Sequence, residues 1–217
     1  MDVYEALYTT RAMRRVRTDP IPEAIQAKIL DAAIRAPTGG NAQGWRFMLV
    51  DDDAMKAKLG PLYRSALTQL FDTLYKPQAD AAAADPETEE SIAFGKMYRS
   101  AKHLADHFEN YPLLFFAFDQ VDPTGSSIYP AIWNAMLAAR AEGVGSALTS
   151  VLLFRLNEVL EVLGVPADSG WRMAACVTLG YPTGRWGVAP RRPVDEVAYR
   201  NGWEQPLGMK IPKPLWP

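Results

Sequence analysis

Residues 112–118 read Pro-Leu-Leu-Phe-Phe-Ala-Phe, seven positions without a polar break. A continuous apolar run of that length reads as a strand buried inside a sheet. Trp45 to Val50 and Trp171 to Leu179 also have strand character, and an extended segment ends near Thr149 after the turn at Gly143. Long helical stretches separate these segments. Strands this few, set between long helices, make an α+β or α/β class in which helices cover a sheet. The run at 112–118 is also far short of the ~20 apolar residues that span a bilayer.

The helices follow from caps, breakers and spacing. Asp2 can cap a short helix reaching Tyr8. Pro22, near the first helical position, opens an amphipathic helix with Ile25, Ile29, Leu30, Ala33 and Ile34 on one face. It must end before Pro37, because a residue preceding proline is pushed out of the helical region. Ala54 to Tyr75 reads as helix interrupted near Gly60-Pro61. Lys76 to Glu90 mixes an alanine run with acidic residues, Pro77 and Pro86, and reads as a mobile insertion. Ser91 to Glu109, Ser126 to Glu142 and Leu156 to Leu163 read as helices, the last ended by Gly164. There is no internal repeat, and 217 residues suit one domain spanning 1–217. Residues 200–217 are rich in Pro and Trp and read as an extended arm that packs on a partner subunit.

Charge and cysteine usage exclude several classes. Twenty-three basic against 25 acidic side chains give a net charge of −2, without the basic footprint of a nucleic-acid binder or an attraction to acidic membranes. One cysteine, Cys176, permits no intramolecular disulfide and no cysteine-built zinc site, and reads as a small buried hydrophobe. The opening MDVYEALY has no secretory pattern. The expectation is a soluble cytoplasmic protein.

Two basic segments carry the chemistry. Arg11, Arg14, Arg15 and Arg17 fall within seven residues, and Arg11 and Arg15 share a face if the backbone there is helical. The stretch is either a solvated basic turn or a phosphate site, since a guanidinium fork matches phosphate oxygens. Arg191-Arg192 is a second pair that could converge on the same dianion. The loop Ala36-Pro37-Thr38-Gly39-Gly40-Asn41-Ala42-Gln43-Gly44-Trp45 allows close approach of a flat ligand, with Asn41 and Gln43 supplying donors and acceptors. It has no P-loop pattern. Gly143-Val-Gly-Ser-Ala-Leu148 fails as a dinucleotide fingerprint, having Leu at its sixth position and a helix before it. His103 and His107 have i, i+4 metal-ligand spacing but neither the zincin glutamate nor an evident third ligand. They are the only histidines, and there is no GxSxG elbow, so hydrolase chemistry has little to draw on.

In this order, four segments resemble the FMN-dependent nitroreductase family. Thr10-Arg11-Ala12-Met13-Arg14-Arg15 is similar to its opening Arg-Arg-Ser-x-Arg segment. The loop 36–45 is similar to its Ala-Pro-Ser-x-x-Asn-x-Gln-Pro-Trp loop. Tyr129-Pro130-Ala131, Asn134 and 137–145 resemble its dimer-forming helix and exit turn. Gly180-Tyr181-Pro182 with Pro190-Arg191-Arg192-Pro193 resembles its closing segment. The resemblance extends through about Val197. It implies a three-layer α/β/α fold of the α+β class with a central mixed sheet, built as an intertwined homodimer with FMN at each subunit interface. It further implies an FMN-dependent oxidoreductase using NADH or NADPH to reduce a small aromatic acceptor, such as a nitroarene or quinone, in a ping-pong reaction through flavin N5. Related chemistries on the same scaffold are reductive dehalogenation and flavin breakdown; a non-catalytic flavin-binding dimer is the alternative from another class. By the same resemblance Arg11, with Ala12 and Met13 beside it, would hold the phosphate, joined by Arg191 or Arg192. Arg15 would sit near flavin N1 and the C2 carbonyl, Pro37, Thr38, Gly39 and Asn41 would line the cofactor partly from the partner, and Ser150 and Val151 would face N5 through their backbone. Met13 replaces the family's serine and Gly44 its proline.

Overall fold

The structure, a computed structural model, describes residues 1–216. The buried run forms β2 (Leu113–Asp119), and every one of its residues is buried. β1 (Trp45–Val50) and β4 (Arg172–Gly180) flank it, and β3 (Gly145–Thr149) lies outside β4, giving the order β1-β2-β4-β3. All three pairings are antiparallel. The parallel component that makes the sheet mixed is a single bridge, Ala12 to Ser146, on the outer edge of β3.

Strand alternation divides the core between two helical layers. Leu113, Phe115, Ala117, Ala175, Val177 and Leu179 face α2 (Glu23–Ala33) and α6 (Ile128–Ala141). Leu114, Phe116, Phe118 and Cys176 face the opposite way, toward α3 (Asp53–Asp72), α5 (Glu89–Asp106) and α7 (Leu156–Leu163). α1 (Val3–Thr9) begins at Asp2, whose carboxylate accepts from the Tyr4 N–H, and packs on α6. α7 ends as expected at Gly164, in the left-handed region at φ 68°. Cys176 is fully buried, and burial pushes its thiol pKa up. No helix among the described residues is long and apolar enough to cross a membrane.

Several expectations are corrected. α3 runs without interruption through Gly60 and Pro61. The backbone N–H missing at Pro61 costs one hydrogen bond, which packing of α3 against the second core layer offsets. Gly60 lets the Glu109 side chain approach the helix: a Cβ there would lie 2.1 Å from Glu109 Oε2 and would push that flexible side chain aside. Residues 76–84 are not irregular: they form α4 (Lys76–Ala84), in which alanine propensity prevails and Pro77 occupies the tolerant first turn. Pro22 is the N-cap of α2 rather than its first helical residue, and Ile34 is exposed just past the helix instead of completing its buried face. The arginine segment is extended, not helical.

Candidate functional site

The arginine segment owes its position to two glycines. Gly145 on β3 and Gly180 on β4 are register partners. A Cβ on Gly145 would come within 2.8 Å of Met13 Cβ, and one on Gly180 within 2.7 Å of Val16 Cγ2. The sheet end is therefore bare where residues 13–16 cross it. Met13 N–H donates to the Ser146 carbonyl at 2.9 Å, Arg17 N–H to the Tyr181 carbonyl at 2.8 Å, and Thr183 N–H to the Arg15 carbonyl at 3.0 Å. Tyr111 O–H donates to the Arg14 carbonyl at 2.6 Å. Burial raises the Tyr111 pKa to about 12, so the donor stays protonated.

This crossing displays arginines in several directions. Arg11 Nη2 donates to the Arg185 carbonyl at 3.2 Å, and Arg14 Nη1 reaches Ser100 Oγ on α5 at 3.2 Å. Among the described residues, Arg11, Arg14 and Arg15 pair with no carboxylate, whereas Arg17 is neutralised by Asp19 at 2.6 Å. Ala12 is exposed beside Arg11. Met13 is buried, so its side chain packs against the sheet end instead of facing a ligand.

The remaining expected residues lie in other places on the chain. Arg191 and Arg192 line a cleft of about 620 Å³ with Leu7, Tyr8 and Thr10, the residue preceding Arg11. The two cationic stretches thus reach one neighbourhood. The same cleft is also lined by residues 211–215, and the Trp216 ring lies 5.8 Å from the Tyr8 ring. Thr38 and Gly39 line a separate cleft of about 220 Å³ against the loop 119–128, with Pro37 and Asn41 exposed nearby in sequence. Three left-handed residues shape that turn, Gly40 at φ 57°, Asn41 at 54° and Gln43 at 49°. For the two non-glycines this is a locally strained backbone of the kind that clusters at ligand sites. Arg15 lines a third cleft, of about 260 Å³, with Arg14, His103, His107 and Asn110. Ser150 is exposed past the end of β3; Val151 N–H is directed at Thr149 Oγ1, which also meets the buried Tyr63 hydroxyl at 2.8 Å.

Some positioning residues had no local signal in the sequence. Arg140 of α6 is buried, donates to Thr9 Oγ1 at 2.8 Å, and stacks over the Trp186 ring at 4.1 Å. It ties α1, α6 and the C-terminal loop together across more than a hundred residues of sequence. Asp122 organises the wall opposite Thr38. Its carboxylate accepts from Ser127 N–H at 2.5 Å, Thr124 Oγ1 at 2.7 Å and Ser126 Oγ at 3.2 Å, just before α6 begins. These bonds, led by that from Ser127, hold its pKa at about 2. A depressed carboxylate adds stability above its unfolded pKa of about 4 and loses it as pH falls toward 2. The Asp122→Asn variant should therefore flatten the acid limb of a stability–pH curve between those values, read by thermal unfolding.

Comparison with known proteins decides the family. The family model described as Nitroreductase family matches residues 7–181. The chain belongs to the nitroreductase family. A Thermus thermophilus family relative named NADH dehydrogenase is 30% identical over 206 residues, 91% of this chain and 95% of its own. A 5,6-dimethylbenzimidazole synthase of Rhodospirillum rubrum is 31% identical over 218 residues, 94% of this chain and 90% of its own. Among solved structures, an iodotyrosine deiodinase bound to FMN and 3-iodo-L-tyrosine shares the nitroreductase fold with TM-score 0.73 and 20% identity, covering 93% of this chain and all of its own (100%). The FMN-dependent nitroreductase of Mycobacterium smegmatis in complex with NADPH aligns with TM-score 0.66 and 20% identity, over 91% of this chain and 97% of its own.

Proposed function

We propose that this chain is an FMN-dependent oxidoreductase that works as a homodimer, takes electrons from NADH or NADPH, and delivers them to a flat, electron-poor aromatic acceptor. The observation that carries the reading is the arginine segment laid over the bare Gly145–Gly180 sheet end, with three guanidinia that have no carboxylate partner among the described residues. Uncompensated arginines held on a rigid support suit a phosphorylated, anionic cofactor. When bound, FMN supplies two-electron carriage between a reduced nicotinamide and an acceptor.

This chain's residues supply binding and electrostatics. Arg11 binds the phosphate, with Arg191 or Arg192 reaching it from the C-terminal loop. Arg15 would hold the isoalloxazine ring and would supply a permanent positive charge that stabilises the anionic form of a reduced flavin. Ser150 offers its backbone just beyond β3. In this reading a partner subunit supplies the remainder: Thr38 and Gly39 line a different cleft from Arg15, which is consistent with their loop reaching the cofactor of the other subunit. Exposed apolar side chains support a partner: Tyr129 and Trp133 on α6, Tyr4 and Leu7 on α1, and Trp203, which is 81% exposed in the C-terminal arm.

The test is a visible spectrum. Purified protein is expected to be yellow, to bleach anaerobically with NADH or NADPH, and to oxidise either steadily when a quinone is present. Colourless protein that gains no bound flavin bands on mixing with FMN overturns the proposal. A second reading, another flavin chemistry on the same site, draws support from relatives named synthase and deiodinase. Product analysis separates the two, since an acceptor reductase consumes one NAD(P)H per quinone reduced and leaves its flavin intact.

A further inference from the structure

Arg140 is a cation with little access to water. It stands in the last turn of α6, and its side chain is 8% exposed. Three groups compensate it. Nε donates to Thr9 Oγ1 at 2.8 Å, Nη2 reaches Glu5 Oε1 at 3.4 Å, and the guanidinium lies over the Trp186 ring at 4.1 Å. The Thr9 oxygen is free to accept, because its own proton goes to the Glu5 carbonyl at 2.6 Å. A buried charge needs such partners, and an aromatic face suits the planar, weakly hydrated guanidinium.

These partners bracket one contact. Thr9 stands two residues before Arg11, and Trp186 follows Arg185, whose carbonyl accepts from Arg11 Nη2 at 3.2 Å. Arg140 therefore grips both chains that meet there. The C-terminal chain has few other holds. Thr183 N–H and Oγ1 both donate to the Arg15 carbonyl, at 3.0 and 3.3 Å. From residue 184 to residue 192 no backbone N–H donates to a backbone carbonyl among the described residues. That stretch carries Arg185, Arg191 and Arg192, and none of the three pairs with a carboxylate among the described residues. Arg191 Nη1 donates only to the adjacent Pro190 carbonyl, at 2.9 Å. Like charges on a loosely held chain separate unless a neighbour fixes the chain. The Trp186 stack is that fixed point.

We infer that Arg140 and Trp186 form a positioning pair that sets cofactor selectivity. By holding the C-terminal arginines beside Arg11, the pair makes the chain favour a phosphorylated flavin over the same flavin without its phosphate. The inference rests on the FMN reading above and adds to it two residues that need not touch the cofactor. Their part is preorganisation: the cations are gathered on folding, so a phosphate dianion finds its partners already in place. A flavin that lacks the phosphate gains nothing from this arrangement.

Parallel titrations with FMN and with riboflavin, read by flavin fluorescence, test it. The unsubstituted protein should bind both, FMN more tightly. Trp186→Leu, at a half-buried position, should weaken FMN about tenfold and leave riboflavin within about twofold. Trp186→Tyr restores an aromatic face and should recover most of the loss. Arg140→Lys keeps the charge but gives up the planar stack and the Nε donor, so it should show the same selective loss. The double variant Arg140→Lys/Trp186→Leu should add little to either single one, as for two members of one contact. Thermal unfolding of each variant checks its folding, and Arg140→Lys carries the test if Trp186→Leu does not fold. Equal weakening of FMN and riboflavin would make the pair purely structural and overturns the inference. So does an unchanged ratio of the two affinities, a loss that Trp186→Tyr fails to restore, or full additivity in the double variant. Binding of neither flavin by the unsubstituted protein overturns the oxidoreductase reading itself, and this inference with it.

Discussion

Replacing Gly180 with valine is expected to abolish tight flavin binding and to lower the thermal midpoint. The new side chain has nowhere to go. Its Cβ would sit 2.7 Å and 2.8 Å from Val16 side-chain atoms and 3.2 Å from Pro112 Cδ. Overpacking of this kind costs about 1–3 kcal/mol. What yields is set by the surroundings. β4 is paired on both sides, with β2 and β3, and is buried along most of its length. The arginine segment is held by isolated backbone bonds at Met13, Arg15 and Arg17. The segment should lift, carrying Arg14 and Arg15 with it, and a shift of about 1 Å is enough to spoil a positioned electrostatic contact. Fluorescence titration with FMN checks the first effect and thermal unfolding the second. Gly187→Ala, where a Cβ meets nothing within 4 Å, is the control and should match the unsubstituted protein in both. Unaltered FMN affinity in Gly180→Val would show that the sheet end does not support the cofactor site.

The largest effect on stability is expected from Phe116→Ala. Phe116 is fully buried in the middle of β2, between Met48 on β1 and Cys176 on β4. Its ring belongs to the core shared with α3, α5 and α7. On the other face of the strand Phe115 stacks on Phe47 at 5.2 Å. Removing a buried phenylalanine ring typically costs about 3–5 kcal/mol, from lost transfer energy and the cavity left behind. That is a large share of the roughly 5–15 kcal/mol that holds a domain folded. Urea unfolding at fixed protein concentration should show it, the concentration being held because dimerisation would shift the apparent stability. Leu153→Ala, at an exposed position, should change little. A loss below about 1 kcal/mol for Phe116→Ala would mean that the central strand is far less tightly packed than the two-sided core implies.

Much of the fold was legible because local chemistry and burial agree. The run at 112–118 became a strand buried on both faces, α7 stopped at Gly164, and β1 spans the residues that its pattern marks. Legibility failed where tertiary contacts override propensity. Proline at 61 would break an isolated helix, yet α3 continues because its buried face, including Leu59, Tyr63 and Leu67, is held by the second core layer. The segment 76–84 failed for the opposite reason: local propensity prevailed over an acidic, proline-flanked composition that suggested irregular chain. For the site, the residue types were visible but their grouping was not. Arg14, Arg15 and the histidine pair are separated by almost ninety residues of sequence, and no periodicity relates an extended segment to the end of a distant helix.

The sequence by itself determined the layers. Apolar runs without a polar break, as at 112–118, and apolar stripes on helices call for helices on both faces of a sheet, because a strand apolar on both sides must be covered on both to leave water. The basic segments, too, were set by composition alone, hidden inside a net charge of −2. Only the tertiary structure decided which way those charges point. Gly145 and Gly180 have no side chains, so another segment can cross the sheet end within van der Waals contact, and their pairing across β3 and β4 fixes where it crosses. That crossing buries Met13, sends Arg14 and Arg15 toward the histidines, and leaves Arg11 beside the C-terminal loop. A cluster of like charges became a set of arginines directed to different places through backbone contacts that no local pattern encodes.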